Sequence, residues 1–243
     1  MAVNQLKINV KKTHVLTLGT GRKLQLQRDK VSVRMNGLVL EENVNGTEML
    51  LGCAISSNLK WHNHVLEVSK RLKGRLFALQ NLKHIMPFHQ RKIIVEGLFM
   101  SVLSYCVSLF GGCEENDLND LQVLQNRAAR LVTDSFARVP RKELFDNVGW
   151  MTVRQLIFYH TILTTFRIRQ SGEPEYLNDL MTRDNNRGSI IVPNTRLSLA
   201  KKSYCFRASV QWNSLPVEIR NIETKQRFKS ELRKWILENV PQF

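Results

Sequence analysis

The sequence predicts a mainly α-helical protein with a small antiparallel β portion at its N-terminus. Before Trp61, apolar residues alternate with polar ones or form short runs, whereas from Trp61 onward they recur every three or four residues. A chain of 243 residues is long enough for one large or two small domains. We expect a β-rich segment over residues 1–60, a helical domain over 61–180 and a helical and loop extension over 181–243.

The β portion is predicted from three segments. Residues 13–18 are rich in β-branched side chains and are followed by a Gly19-Thr20-Gly21 turn, which is typical of a strand. The alternating run Val31–Met35 meets Asn36-Gly37, the strongest short signal for a hairpin. Met49–Ile55 reads as a short buried run whose internal glycine marks a bulge or a close backbone approach.

The helices are predicted from apolar stripes and from residues that begin or end helices. The first stripe consists of Val65, Val68, Leu72, Leu76 and Leu79, and Pro87 ends that helix. We expect further helices over residues 89–110, from 116 or 117 to about 131, 140–147, 152–170 and 224–239, and a long loop or small β element over 181–200. The helix over 89–110 is apolar on most sides, which places it at the centre of the core.

Basic residues are the strongest chemical signal in the chain. There are 36 lysines and arginines against 21 acids, which gives a net charge of +15, and the excess is spread over both halves. A folded basic face that attracts polyanions such as nucleic acid is therefore expected. Four clusters carry it: Lys70, Arg71, Lys73 and Arg75; Arg127 and Arg130; Lys201, Lys202 and Arg207; and Arg227, Lys229, Arg233 and Lys234.

Catalytic and cofactor-binding patterns are missing from the sequence. It contains no nucleotide-binding glycine motif and no His-Glu-x-x-His, and His62 and His64 lack further ligands nearby. The adjacent acids Glu41-Glu42 and Glu114-Glu115 lie in turn-like segments. We therefore expect no cofactor and no metal. Neither a membrane span nor a secretory signal is evident, so we expect no membrane partner and an intracellular location, nuclear or cytoplasmic.

Several short segments occur in a characteristic order along the chain. They are Leu6–Thr13, Leu51-Gly52, Leu59–His64, Leu103–Cys106 with Phe110–Gly112, Leu121–Arg130, Pro174–Leu177, Arg187, Trp212–Arg220 and Phe228-Lys229. Each is weak alone, but their joint order resembles the C-terminal half of the reverse transcriptase of non-LTR (LINE-like, jockey-like) retrotransposons. The resemblance spans nearly the whole chain.

The resemblance implies polymerase palm-end hairpins followed by a thumb-like helical bundle. Leu6–Thr13 would be motif D, whose lysine is Lys12, although a plain surface lysine at a strand start is the simpler interpretation. The hairpin around Leu51-Gly52 would be the primer grip, and the helix over residues 65–82 would follow the minor groove of an RNA–DNA template–primer duplex. The candidate nucleic-acid-binding residues are Lys12, Leu51, Gly52, Lys70, Arg71, Lys73, Arg75, Arg127 and Arg130.

The chain departs from this family at the catalytic acids. The aromatic-x-Asp-Asp turn would precede Leu6, and the sequence contains no Asp-Asp pair. Two magnesium ions held by such acids stabilise the transferring phosphoryl group. We therefore expect a truncated RNA-directed DNA polymerase that is inactive as an isolated chain but retains a basic surface for nucleic-acid duplexes. The alternative is a helical interaction module that docks on a complementary polymerase fragment or on itself.

Overall fold

The computed structural model describes residues 9, 12–27, 32–35, 37–40, 46–135, 138–181, 184–185 and 188–241. The chain divides into two compact units, Met1–Glu67 and Val68–Phe243. Helix α2 (His62–Gln80) crosses the boundary between them. The structure is mainly helical with small antiparallel sheets, as the sequence predicts.

In its described residues the first unit contains one short helix, two hairpins and the start of α2. Its elements are α1 (Gly21–Gln27), β1 (Val33–Met35), β2 (Leu38–Leu40), β3 (Thr47–Leu50) and β4 (Cys53–Ser56). The hairpin predicted from Asn36-Gly37 is confirmed, because β1 and β2 are antiparallel and Met35 pairs with Leu38. Gly37 has a φ of +79°, which glycine adopts without a steric penalty.

The strand predicted over residues 13–18 is wrong. Within residues 12–27, which the structure describes throughout, Val15 makes an isolated bridge and the glycine turn leads into α1. The Thr20 carbonyl accepts the Leu24 N–H at 2.9 Å, and this bond closes the first helical turn. Leucine, glutamine and lysine then favour helix over strand, so residues 21–27 form α1 instead of a return strand that could pair with residues 13–18.

The apolar run Met49–Ile55 forms a hairpin rather than one buried strand. Strands β3 and β4 pair in antiparallel fashion, and Leu51-Gly52 makes the two-residue turn with φ values of +47° and +80°. Leu51 is 83 % exposed. Only the β4 end of the run is buried, at Cys53 and Ala54, because the turn carries the rest of the run into solvent.

The described part of the second unit is mainly helical, with one pair of two-residue strands. Its elements are α3 (Phe88–Val95), α4 (Ser101–Ser104), α5 (Val107–Phe110), α6 (Glu115–Thr133), α7 (Arg141–Val148), α8 (Val153–Ser171), α9 (Glu175–Met181), β5 (Asp184–Asn185), β6 (Ser189–Ile190), α10 (Ser198–Lys201), α11 (Tyr204–Asn213), α12 (Val217–Arg220) and α13 (Lys225–Asn239), with a 3₁₀ turn over Asn81–His84 and a π-helical segment over Glu96–Met100. Within the described residues, every helix is too short or too polar to span a lipid bilayer.

Helix α8 occupies the centre of the second unit. It packs against α5, α6, α11 and α13, and Phe166 stacks on Phe228 with ring centroids 4.0 Å apart. The predicted capping box begins it: the Gln155 N–H donates to the Thr152 hydroxyl at 3.4 Å, and the Thr152 N–H donates to the Gln155 side chain at 3.0 Å. Two donors at the helix start are thereby satisfied.

The single central helix predicted over residues 89–110 is wrong. The segment is divided into α3, the π-helical segment, α4 and α5, and Cys106 takes a left-handed φ of +54° between the last two. Ile93 is 55 % and Leu98 49 % exposed, whereas Phe99 and Phe110 are fully buried. The break at Cys106 redirects the chain so that α5 packs on α8, which leaves α8 as the central helix.

Candidate nucleic-acid interface

A groove of about 490 Å³ lies between α2 and α6 within the second unit. We call it the α2–α6 groove; its lining residues are Lys73, Leu76, Phe77, Gln80, Arg127, Arg130, Leu131 and Ser135. Leu76 and Leu131 are nearly buried and form its apolar floor. The polar and charged side chains stand around that floor.

The groove is strongly positive. Lys73 and Arg127 are exposed and Arg130 is half-buried, and among the described residues those that line the groove include no acid. Clefts lined by charges of one sign over a low-dielectric wall concentrate the electric field and attract ions of the opposite sign. The groove therefore suits an anionic ligand.

Helical spacing explains how these side chains meet. Lys73, Phe77 and Gln80 are four and three residues apart and so share one face of α2. Arg127 and Arg130 share one face of α6 for the same reason. The structure thus brings Lys73 together with Arg127 and Arg130, which follow it by more than fifty positions in the sequence.

The remaining basic residues predicted on α2 lie outside the groove lining. Arg75 is half-buried, and its guanidinium donates to the carbonyl of Leu98, so it fastens α2 to the π-helical segment. Arg71 is exposed one turn earlier on the same face as Arg75. Lys70 is also exposed and precedes Lys73 by one turn. Of this cluster, Lys73 is the residue that lines the groove.

Three predicted site residues belong to the first unit. Lys12 is exposed, and its N–H donates to the Asn9 carbonyl at 3.0 Å in a turn. Leu51 and Gly52 form the turn between β3 and β4. Most of Leu6–Thr13, together with Glu41-Glu42 and Arg187, lies outside the described residues.

The two C-terminal basic clusters make internal contacts. Lys202 forms an ion pair with Glu114 at 2.5 Å, and Arg207 donates to the carbonyls of Ser108 at 2.5 Å and Lys202 at 3.2 Å. Burial lowers the pKa of Arg207 from its ordinary value. Arg233 donates to the Gly149 carbonyl at 2.6 Å. These side chains hold helices together.

The segment Leu121–Arg130 combines a structural and a surface role. Gln125 is fully buried and donates to the Met151 carbonyl at 2.9 Å, while the Gln122 side-chain carbonyl accepts the Val153 N–H at 2.9 Å. Both glutamines therefore fasten the start of α8 to α6. Arg127 and Arg130 lie on the other side of the same helix and line the groove.

The segment Trp212–Arg220 is structural as well. The Ile190 N–H donates to Asn213 at 2.8 Å, and the Asn213 amide donates back to the Ile190 carbonyl at 2.7 Å. Trp212 donates to the Gly188 carbonyl at 3.1 Å. The Asn213 side chain thus pairs with the edge of β6 as a neighbouring strand would.

The described acids do not fit a two-magnesium centre. Among the described ranges of the chain, no group of three histidines, cysteines or acids could hold a metal ion. Glu114 is paired with Lys202 and Glu115 with Arg154. His64 is buried, and its Nδ1 accepts the Ala54 N–H at 3.2 Å, which is a structural contact of the β4 strand.

Sequence comparison finds a protein that is similar to this chain. No family model matches it, and neither does any solved structure. It is 25 % identical over 170 residues to the probable RNA-directed DNA polymerase from transposon BS of Drosophila melanogaster. The match covers 68 % of this chain but 18 % of that protein's length. The chain is therefore related to a reverse transcriptase encoded by a transposon.

Proposed function

We propose that this chain corresponds to a C-terminal region of a non-LTR, jockey-like reverse transcriptase and that it binds nucleic acid through the α2–α6 groove. One observation carries the binding proposal: three cations surround an open groove whose lining, as far as the structure describes it, holds no acid, in a chain with a net charge of +15. The ordered sequence landmarks and the transposon relative support the family. We propose an intracellular location, nuclear or cytoplasmic, on the same grounds.

The binding chemistry is electrostatic and independent of sequence. Lys73, Arg127 and Arg130 neutralise phosphates, and the counterions released from the nucleic acid supply the free energy. Contacts of this kind fix the position of a ligand and do not read its bases. Exposed Lys70 and Arg71 extend the positive surface along α2. In this proposal α2 is the thumb helix, the β3–β4 turn at Leu51-Gly52 is the primer grip, and Lys12 is the motif D lysine.

Binding to an RNA–DNA hybrid should weaken steeply as salt rises. Each neutralised phosphate contributes about −0.9 to the slope of log K against log salt, so three groove contacts give a slope near −3. Fluorescence anisotropy of a labelled hybrid, titrated with the full chain between about 50 and 200 mM salt, measures the slope. An affinity that does not depend on salt, or no binding at the low-salt end, would contradict the proposal.

The chain by itself should not extend a primer. Phosphoryl transfer in polymerases depends on carboxylates that hold two metal ions against the reacting oxygens, and this sequence has no Asp-Asp pair. A primer-extension assay with the purified chain, a primed RNA template, nucleotides and magnesium should give no product. Templated, magnesium-dependent incorporation would overturn this part of the proposal.

A second candidate function is protein docking through the first unit. Met49, Leu50 and Leu51 are 52, 59 and 83 % exposed at the tip of the β3–β4 hairpin, and contiguous exposed apolar residues mark interaction sites. The partner would be a complementary polymerase fragment or a second copy of the chain. In light scattering, a dimer that persists at high salt would favour self-association, and a monomer would oppose it.

A further inference from the structure

We infer that the interior of the α2–α6 groove takes an unpaired stretch of nucleic acid, with one base stacked on Phe77, while the phosphates of a duplex reach only the cations at the edge of the groove. The inference rests on the nucleic-acid binding proposed above and specifies which form of nucleic acid enters the groove. It follows from the aromatic ring of Phe77, which the described residues place among the groove's cations, and from the size of the groove.

Phe77 is an exposed aromatic side chain at the groove. It is 77 % exposed, although a phenylalanine in a folded protein is among the residues most often buried. Its neighbours Leu76 and Leu79 are 7 % and 3 % exposed and form the buried stripe of α2. Phe77 lies off that stripe and lines the groove one turn after Lys73.

An exposed aromatic ring among cations is the arrangement that binds single strands. Cations follow the phosphates, while bases stack on aromatic side chains, and the stacking tolerates any sequence because every base has a π face. In the groove Phe77 supplies the ring, and Lys73, Arg127 and Arg130 supply the charge. The Gln80 amide and the Ser135 hydroxyl, which also line the groove, can bond to a base edge.

The dimensions of the groove exclude a duplex from its interior. A volume of about 490 Å³ falls within the range of about 300–1,000 Å³ for pockets that hold drug-sized ligands. A nucleotide is of that size, and a double helix is far wider. In a duplex the faces of each base are also covered by the neighbouring bases, so Phe77 could not stack on one. Unpaired nucleotides beside a hybrid satisfy both conditions.

Substitution of Phe77 tests the inference. We expect F77A to raise the Kd for a labelled 12-nucleotide single strand by about 5- to 150-fold, which corresponds to the stacking of one base. The slope of log K against log salt should not change, because the three cations remain. The Kd for an abasic strand of equal length, and that for a blunt RNA–DNA hybrid, should stay as in the unsubstituted chain.

Three further variants separate stacking from other effects of the substitution. F77W should bind the single strand at least as tightly as the unsubstituted chain, whereas F77L should be as weak as F77A because it keeps apolar bulk without a π face. Y176A removes another exposed aromatic ring, on α9 and 68 % exposed, and should leave binding unchanged. Both positions, Phe77 and Tyr176, are exposed, so unchanged thermal unfolding is expected for all four variants.

The outcomes distinguish this inference from the proposed function. A salt-dependent affinity that F77A leaves unchanged for the single strand would overturn the stacking on Phe77 and leave electrostatic binding in place. An equal loss for the abasic strand or for the blunt hybrid would also overturn it, because the abasic strand has no bases and the hybrid covers every base face except the two outer faces of its terminal pairs. A salt-independent affinity would instead refute the nucleic-acid binding from which the inference starts.

Discussion

Reversing Lys73 and Arg127 together should lower the affinity for an RNA–DNA hybrid by about 100-fold or more at low salt. Each substitution to glutamate removes a phosphate contact and places a negative charge beside a negative ligand, and such juxtapositions cost several kcal/mol. Both side chains are exposed, so stability should change by no more than about 0.5 kcal/mol. Anisotropy titrations of K73E/R127E against the unsubstituted chain measure the loss.

The control for this variant carries the same charge change elsewhere. K201E/R227E alters two exposed cations, on α10 and α13, and both double variants lower the net charge from +15 by the same amount. Only the groove variant should lose most of its affinity. Equal losses would show that binding follows net charge alone and that the groove has no special part in it.

Replacing Gly112 by alanine should lower the free energy of unfolding by about 3 kcal/mol, at the upper end of the usual cost of overpacking. A Cβ at this position would lie well inside van der Waals contact with the backbone carbonyl of Lys202, and 3.2 Å from Nε of Arg207. A backbone carbonyl cannot rotate away as a flexible side chain can. Urea denaturation followed by tryptophan fluorescence measures the change through its midpoint.

Gly74 provides the matched control for Gly112. It lies inside α2, and a Cβ there would meet no atom within 4 Å. G74A should therefore raise the free energy of unfolding by about 0.5–1 kcal/mol, because alanine loses less backbone entropy in a helix than glycine does. A G112A chain as stable as the unsubstituted one would contradict the close approach of α10 to this glycine.

Several helices of the second unit follow from the helical period of apolar residues and from residues that begin or end helices. The stripe of α2 is confirmed residue by residue, since Val65, Val68, Leu72 and Leu79 are all less than 5 % exposed. The capping box at Thr152 and the Asn36-Gly37 hairpin are confirmed for the same reason: each signal is local, and each fixes its own backbone bonds. Sequence reasoning succeeds where a few neighbouring residues decide the structure.

The errors of prediction arise where contacts between residues far apart in the sequence decide the structure. Apolar residues over 89–110 indicate burial on most sides, yet Ile93 and Leu98 are half exposed because the break at Cys106 moves α5 onto α8. Period alone cannot locate such a break. Likewise, the order of Leu121–Arg130 does not reveal that its glutamines reach Met151 and Val153.

In the candidate site, too, some features can be predicted from neighbouring residues and others depend on tertiary packing. The sequence identifies Lys73, Arg127 and Arg130 as binding residues, because charge clusters are visible in one dimension. That these cations of α2 and α6 share one groove, while Arg75 turns to the Leu98 carbonyl, depends on tertiary packing. Phe77 is not among the candidate residues named from the sequence, although its position one turn after Lys73 and off the apolar stripe indicates an exposed ring.

The salt dependence of K73E/R127E, measured beside the unsubstituted chain and K201E/R227E on one hybrid, tests groove binding most directly. With two phosphate contacts gone, the slope of log K against log salt should become shallower by about 2 for the groove variant. The control should keep the slope of the unsubstituted chain. Three equal slopes would mean that the phosphates are bound elsewhere on the molecule.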